Sequence, residues 1–229
     1  MRDVVKILLL ISIVLIASKI SYAQDYAAYN NSQAQTITKA NALKSNDASL
    51  PIYTSGKDEV LMTVFYDYNC HASRELLKLL NSQYNHNPNN KVKIVFRPMD
   101  YGFNSKEVLQ AVLYVKNLNP SKFEQLNAEI LKIDSPISLA HIQGMTSKID
   151  VNFQDILKEV NNNNSKTKTE MDKNKQDFEA LPYPEGLAPQ YKNAIPVVIL
   201  SRVGHEDKFI YFLGANQNSL TAAINNIKA

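Results

Sequence analysis

A second cysteine is missing from this chain: Cys70 stands alone. A bridge within one chain needs two thiols, so no internal disulfide framework can exist. The sulfur is a free reactive thiol, an intermolecular partner or an inert packing residue. Long apolar runs are also scarce. The N-terminal one extends only from Ile7 to Ala17, well short of the ~20 residues that a membrane-spanning helix requires. It follows basic Arg2 and Lys6 and precedes Ser21, Tyr22 and Ala23, a small-x-small cleavage pattern, so residues 1–23 read as a secretory signal peptide. Excess charge of one sign is absent as well. Lys and Arg number 25 against 22 Asp and Glu, and loss of Arg2, Asp3, Lys6 and Lys19 with the leader brings the chain closer still to neutrality, which leaves no nucleic-acid footprint. No metal-ligand spacing occurs; His86, His141 and His205 are scattered and read as surface residues.

What is present has a clear order. Residues 24–49 are polar and rich in Asn, Gln, Ser and Ala, and predict a mobile arm or short helix, with Ile37, Ala40 and Leu43 at roughly helical spacing. Leu50 to Thr54 reads as an extended segment before a Ser55-Gly56 turn. Glu59 to Asp67 is a nearly continuous β-branched, aromatic and apolar run, the pattern of a strand buried on both faces. From Arg74 the period changes to that of a helix carrying Leu76, Leu77, Leu79 and Leu80, with Asn69 as its expected cap. Lys91 to Arg97 is a second strand, closed by Pro98, and the strand-helix-strand length suits a right-handed parallel crossover. Residues from Ser105 to about Phe178 read as mostly helical. Pro196 to Ser201 and Lys208 to Leu213 predict an antiparallel hairpin on the edge of the sheet, and Ser219 to Ile227 a closing helix.

Cys70 falls where the first strand turns into the first helix. A cysteine there meets unsatisfied backbone N–H groups and the positive end of the helix dipole, which favour thiolate over thiol. His71, when protonated, adds to this; Ser73 is placed to hydrogen-bond the sulfur, and Arg74 brings further positive charge. A hydrolase arrangement is a poor fit, because adjacent Cys70 and His71 at a helix start point in different directions.

In this order of elements the chain resembles the DsbA-like thiol-disulfide oxidoreductases, an α/β class with a thioredoxin-like fold: a central mixed sheet flanked by helices, with a helical insertion. The resemblance rests on the run Phe65-Tyr66-Asp67-Tyr68-Asn69-Cys70, basic Arg74, Pro98 after the second strand, Ser105 opening the helices, Ile195-Pro196 before the third strand, and Gly214 before the last helix. It implies a domain over residues 50–229 with the insertion at about 104–180. It also implies a cis Ile195-Pro196 bond against the active sulfur, with Ile195, Pro196 and Tyr68 as substrate-binding positions beside the catalytic set Cys70, Ser73 and His71.

The departure from the family pattern is Ser73, which makes the motif CxxS where a second thiol is expected. Self-contained dithiol oxidation is thereby excluded, since no intramolecular disulfide can form. The implied activity is monothiol: an exported oxidoreductase or isomerase acting on cysteine-containing envelope proteins through a mixed disulfide at Cys70. That disulfide is resolved by a substrate thiol, a small thiol or a partner reductase, with no cofactor and no metal. The alternative is a redox-inactive or capture-type chaperone or peptide-binding module, and a Cys70 to Cys70 homodimer would block catalysis. A one-cysteine peroxidase lacks its Pro and Thr lead-in here. The expected location is the periplasm or the exterior.

Overall fold

The computed structural model describes residues 35–38, 51–53, 60–84, 91–181, 193–203, 205–214 and 217–228. The leader at 1–23, the rest of the arm at 24–34 and 39–49, and the Ser55-Gly56 turn lie outside the described residues.

Six strands form one mixed sheet. They are β1 (Gln35–Thr38), β2 (Pro51–Tyr53), β3 (Val60–Tyr66), β4 (Val92–Pro98), β5 (Val197–Arg202) and β6 (His205–Leu213), in the spatial order β1-β6-β5-β3-β4-β2. The helix α1 (His71–Tyr84) connects β3 to β4, which pair in parallel with Met62 opposite Ile94 and Val64 opposite Phe96. β5 runs antiparallel to β3 and β6 antiparallel to β5. The hairpin does not end the sheet, because β6 is covered by β1. Residues 35–38 thus correct the expectation of an arm or short helix: Thr36, Ile37 and Thr38 are β-branched, and the open backbone edge of β6 gives them a ladder to join.

β3 is buried along its whole length, as an unbroken apolar run requires. Its alternate side chains serve two cores. Val60, Met62, Val64 and Tyr66 pack with Leu76, Leu77 and Leu80 of α1 and with Leu220, Ala223 and Ile224 of the last helix, α7 (Gln217–Lys228). Phe65 faces the other way, into a smaller cluster with Met99, Val197, Ile199 and Phe178. Each fully buried aliphatic or aromatic side chain of this kind contributes about 1.5–3 kcal/mol.

Between β4 and β5 lie α2 (Lys106–Leu118), α3 (Pro120–Ile130), α4 (Leu139–Thr146), a 3₁₀ turn (Ser147–Ile149), α5 (Phe153–Asn161) and α6 (Lys166–Glu179). The break between α2 and α3 is chemically explicit. Pro120 occupies the first turn, and Asn119 accepts the Ser121 N–H at 2.9 Å. α6 is polar overall, yet Thr167, Met171, Asn174 and Phe178 recur at helical spacing and form its buried stripe. Two ionic contacts whose cations are buried hold the insertion: Arg97 of β4 with Asp177 of α6 at 2.9 Å, and Lys116 of α2 with Glu170 of α6. Asn174 completes the first by accepting from Arg97 at 3.2 Å and donating to the Pro98 carbonyl at 2.9 Å. Among the described residues no helix is long and apolar enough to cross a membrane.

Candidate functional site

The strand delivers Cys70 to the helix through a tight turn. Its N–H donates to the Asp67 carbonyl at 3.0 Å, and its own carbonyl accepts the Arg74 N–H at 3.1 Å, the first bond of α1. Cys70 is therefore the capping residue, a place where helices leave backbone N–H groups unpaired. The sulfur is half-buried, and Sγ stands 3.8 Å from the Ile195 carbonyl oxygen. The Ile195-Pro196 peptide bond is cis, as the family resemblance implied, and the Pro196 carbonyl accepts the N–H of Gly214 at 2.7 Å. Cys70 and the Ile195-Pro196 bond, separated by more than half the chain, thus meet.

The other expected participants are distributed differently. His71 is exposed in the first turn of α1 and makes no hydrogen bond or ion pair among the described residues. Ser73 is fully buried, and its hydroxyl accepts the Asp67 N–H at 3.4 Å; no hydrogen bond joins it to the sulfur. The side chain faces the interior of the turn while Cys70 faces the Ile195 carbonyl. Tyr68 requires a correction. It is 0% exposed, its ring packs edge-on against Tyr66 at 5.0 Å, and its hydroxyl donates to Asn127 of α3 at 2.6 Å. A side chain so enclosed joins the sheet to the helical insertion and presents no surface to a substrate. Arg74 is also turned inward: its guanidinium donates to the carbonyls of Ile133, Asp134 and Ser135 at 3.0, 3.1 and 2.7 Å.

Residues outside the expected catalytic and substrate-binding set hold the site together. Asn69 does not cap α1; the turn geometry gives that position to Cys70. Its side chain instead donates to the carbonyls of Phe103 and Ile137, both at 3.2 Å, and accepts the Ile137 N–H at 2.7 Å. Asp67 is fully buried and accepts from the Asn69 N–H at 2.8 Å, the Tyr101 N–H at 3.1 Å and the Ser105 hydroxyl at 2.6 Å. Burial pushes its carboxyl above the ordinary value, and these three bonds hold it back only in part. Tyr101 is likewise pushed up, chiefly by burial and further by the charge of Cys70, and its hydroxyl donates to the Asn193 carbonyl. A cavity of about 270 Å³ opens beside it, lined in part by Met99, Tyr101, Phe178 and Asn193. Among the described residues no cluster of three or more His, Cys, Asp or Glu side chains is arranged to hold a metal ion.

Sheet order, the crossover helix that starts at Cys70 and the cis-proline segment facing it define an α/β thioredoxin-like fold with a helical insertion. The same fold occurs in the catalytic domain of Proteus mirabilis ScsC, which superposes with a TM-score of 0.59 at 18% identity over 80% of this chain and 92% of that one. It occurs also in the thiol-disulfide exchange protein alpha-DsbA2 from Wolbachia pipientis (TM-score 0.61, 20% identity, 79% and 88% covered). A periplasmic thioredoxin-like protein from Salmonella enterica serovar Typhimurium gives 0.60 at 16% identity, with 80% and 92% covered. No family model and no curated protein sequence matches the chain.

Proposed function

We propose that the protein is an exported monothiol thiol-disulfide oxidoreductase or isomerase of the DsbA-like kind, working on cysteine-containing proteins of the cell envelope. The observation that carries this reading is the half-buried Cys70 sulfur at the start of α1, 3.8 Å from the carbonyl of Ile195 beside the cis-proline. That carbonyl sits in the turn that leads into β5, beside which a substrate strand can lie, with the half-buried Ile195 as its contact and the buried Pro196 fixing the carbonyl from behind. The Cys70 thiolate attacks one sulfur of a substrate disulfide; the new bond joins Cys70 to the substrate, and the other substrate sulfur leaves as a thiolate and takes up a proton. A second substrate thiolate then attacks the substrate sulfur of the mixed disulfide and releases Cys70, so the substrate is isomerised with no net oxidation. A small external thiol or a partner reductase that instead attacks the Cys70 sulfur releases the substrate with both of its cysteines reduced; a second thiol of the reductant then attacks the reductant's own sulfur in the new mixed disulfide, frees Cys70 and leaves as the oxidised disulfide. His71, exposed beside the sulfur, contributes positive charge when protonated, and Ser73 supports the turn from inside.

The periplasm or the exterior follows from the leader-like N-terminus and suits a thiol of this kind; the similarly folded Salmonella protein is periplasmic. A capture role is favoured by the same Ser73, since a buried hydroxyl at that position leaves a mixed disulfide without an internal resolving thiol.

Refolding of a protein with scrambled disulfides tests the proposal. The wild type accelerates recovery of activity and Cys70→Ala does not. Equal rates for the two would eliminate isomerase activity, and client binding retained by Cys70→Ala would assign the protein to the chaperone class.

A further inference from the structure

Asp67 is a costly residue for the place it occupies. Its carboxyl is 0% exposed and forms no salt bridge among the described residues, and burial, with the nearby charge of Asp100, pushes its protonation upward. A carboxyl without a cation in such surroundings costs several kcal/mol unless its oxygens are well satisfied. The three donors that satisfy it belong to two segments: Asn69 in the Cys70 turn, and Tyr101 and Ser105 at either end of the loop that leads from β4 to α2. The tie does not stop there. Tyr101 is held to Asp67 by its backbone N–H and reaches with its hydroxyl to the carbonyl of Asn193, two residues before the Ile195 carbonyl that faces the sulfur. A strap therefore runs from the turn that carries Cys70, through Asp67 and Tyr101, to the segment whose Ile195 carbonyl faces the sulfur. The loop between is itself fixed: the Met99 N–H donates to Tyr66 O at 3.0 Å, and Asn69 holds the Phe103 carbonyl. Gly102, with φ at +90°, allows the reversal that brings Tyr101 back toward Asp67.

From this arrangement we infer that Asp67 is the positioning residue of the Cys70 site: through Tyr101 it sets the separation between the sulfur and the Ile195 carbonyl, and so favours extended polypeptide disulfides over small ones. This inference rests on the reading of Cys70 as an exchanging thiol. A small disulfide needs only the sulfur. A polypeptide disulfide must bring its own sulfur in line while its backbone lies along Ile195, and misplacing such a geometry by about 1 Å can cost ~100-fold in rate. Asparagine cannot replace the carboxyl, because each oxygen accepts a backbone N–H and an amide at either one sets donor against donor.

The experiment compares two probes: hydroxyethyl disulfide, and a fluorophore-quencher pair of linear peptides joined by one disulfide. Rates of Cys70 mixed-disulfide formation are measured for wild type, Asp67→Asn and Tyr101→Phe. The expected result is a peptide-to-small-disulfide rate ratio lowered about tenfold or more in both variants, with the peptide KM raised. Tyr101→Phe removes one hydroxyl from a partly exposed residue, so it decides the matter even where Asp67→Asn fails to fold. An unchanged ratio in Tyr101→Phe overturns the inference, because a purely structural Asp67 lowers stability without altering selectivity. Wild type inert toward both probes brings down the exchange reading itself, and is told apart from the first failure by that inertness.

Discussion

Tyr68→Phe separates a core role from a substrate role for this residue, and its magnitude can be worked from the geometry. The hydroxyl donates to Asn127 Oδ1 at 2.6 Å, with Tyr68 0% and Asn127 2% exposed. Phenylalanine keeps the ring and its edge-on packing against Tyr66, so no large cavity opens. What is lost is the hydrogen bond, and what remains is a buried amide oxygen stripped of its donor. The penalty for such an orphaned group is about 1–3 kcal/mol. For a folded unit of this size each kcal/mol moves Tm by about 2–4 °C, so a loss near ~2 kcal/mol shifts the melt by roughly 4–8 °C. Asn127→Leu removes the other partner and strands the phenol in the same way. The double variant replaces both partners by apolar groups, which can be nearly neutral, so it is less destabilised than the sum of the two singles, with a coupling of about 1 kcal/mol or more. Urea unfolding of the four proteins measures the cycle. A single-variant loss below about 0.5 kcal/mol, or additive losses, would refute the core assignment. So would a stable Tyr68→Phe protein whose mixed-disulfide formation with peptides is impaired, since that result would return the hydroxyl to the substrate.

Three further outcomes are expected. Arg74→Met strips the donors from three carbonyls in the segment after α3; we expect a loss of about 2–4 kcal/mol in urea unfolding, with hydrogen-exchange protection falling first around residues 133–138. Glu170→Ala leaves the Lys116 ammonium, whose side chain is 3% exposed, without its carboxylate; removal of one partner of a buried pair costs about 3 kcal/mol, read as a lowered Tm, and a loss under ~1 kcal/mol would class the pair with surface ones. Asp67 governs a pH dependence. Its folded-state pKa is raised above 3.8 by burial, so the folded protein holds this proton more tightly than the unfolded chain. The contribution of this group is greatest below the ordinary carboxylate range and is lost as pH rises through the folded pKa. Stability measured against pH for wild type minus Asp67→Asn therefore falls across that window, and a difference that is flat or rises with pH contradicts the burial argument.

The legible parts of the fold are those written in local pattern. Val60–Tyr66 announces a doubly buried strand by its apolar continuity, and the leucines of α1 announce a helix by their period. The short interval between them and Val92–Pro98 sets the crossover. Gln35–Thr38 was misread because a four-residue edge strand has no period of its own and exists through pairing with β6. Asn69 was misread for a related reason: an Asn before a helix is a good cap in isolation, but here Phe103 and Ile137 come within its reach and Cys70 takes the capping place. In Tyr68 the aromatic lead-in to the cysteine looked like a contact surface, and only the arrival of Asn127 from α3 turns it into core.

By itself the sequence determined that one thiol stands at a strand-to-helix junction with a serine, and no partner cysteine, three residues on. These are covalent facts, and they exclude self-contained dithiol chemistry in any fold. Tertiary structure alone decided what surrounds that thiol. The Ile195 carbonyl comes to 3.8 Å of the sulfur from 125 positions along the chain, and a buried Asp67 is tolerated only because two donors from the loop after β4, more than 30 positions on, join the one in its own turn. Groups so distant in sequence leave no local periodicity to read. Their meeting is set by sheet order and packing, and there the lone cysteine acquires the carbonyl that faces it.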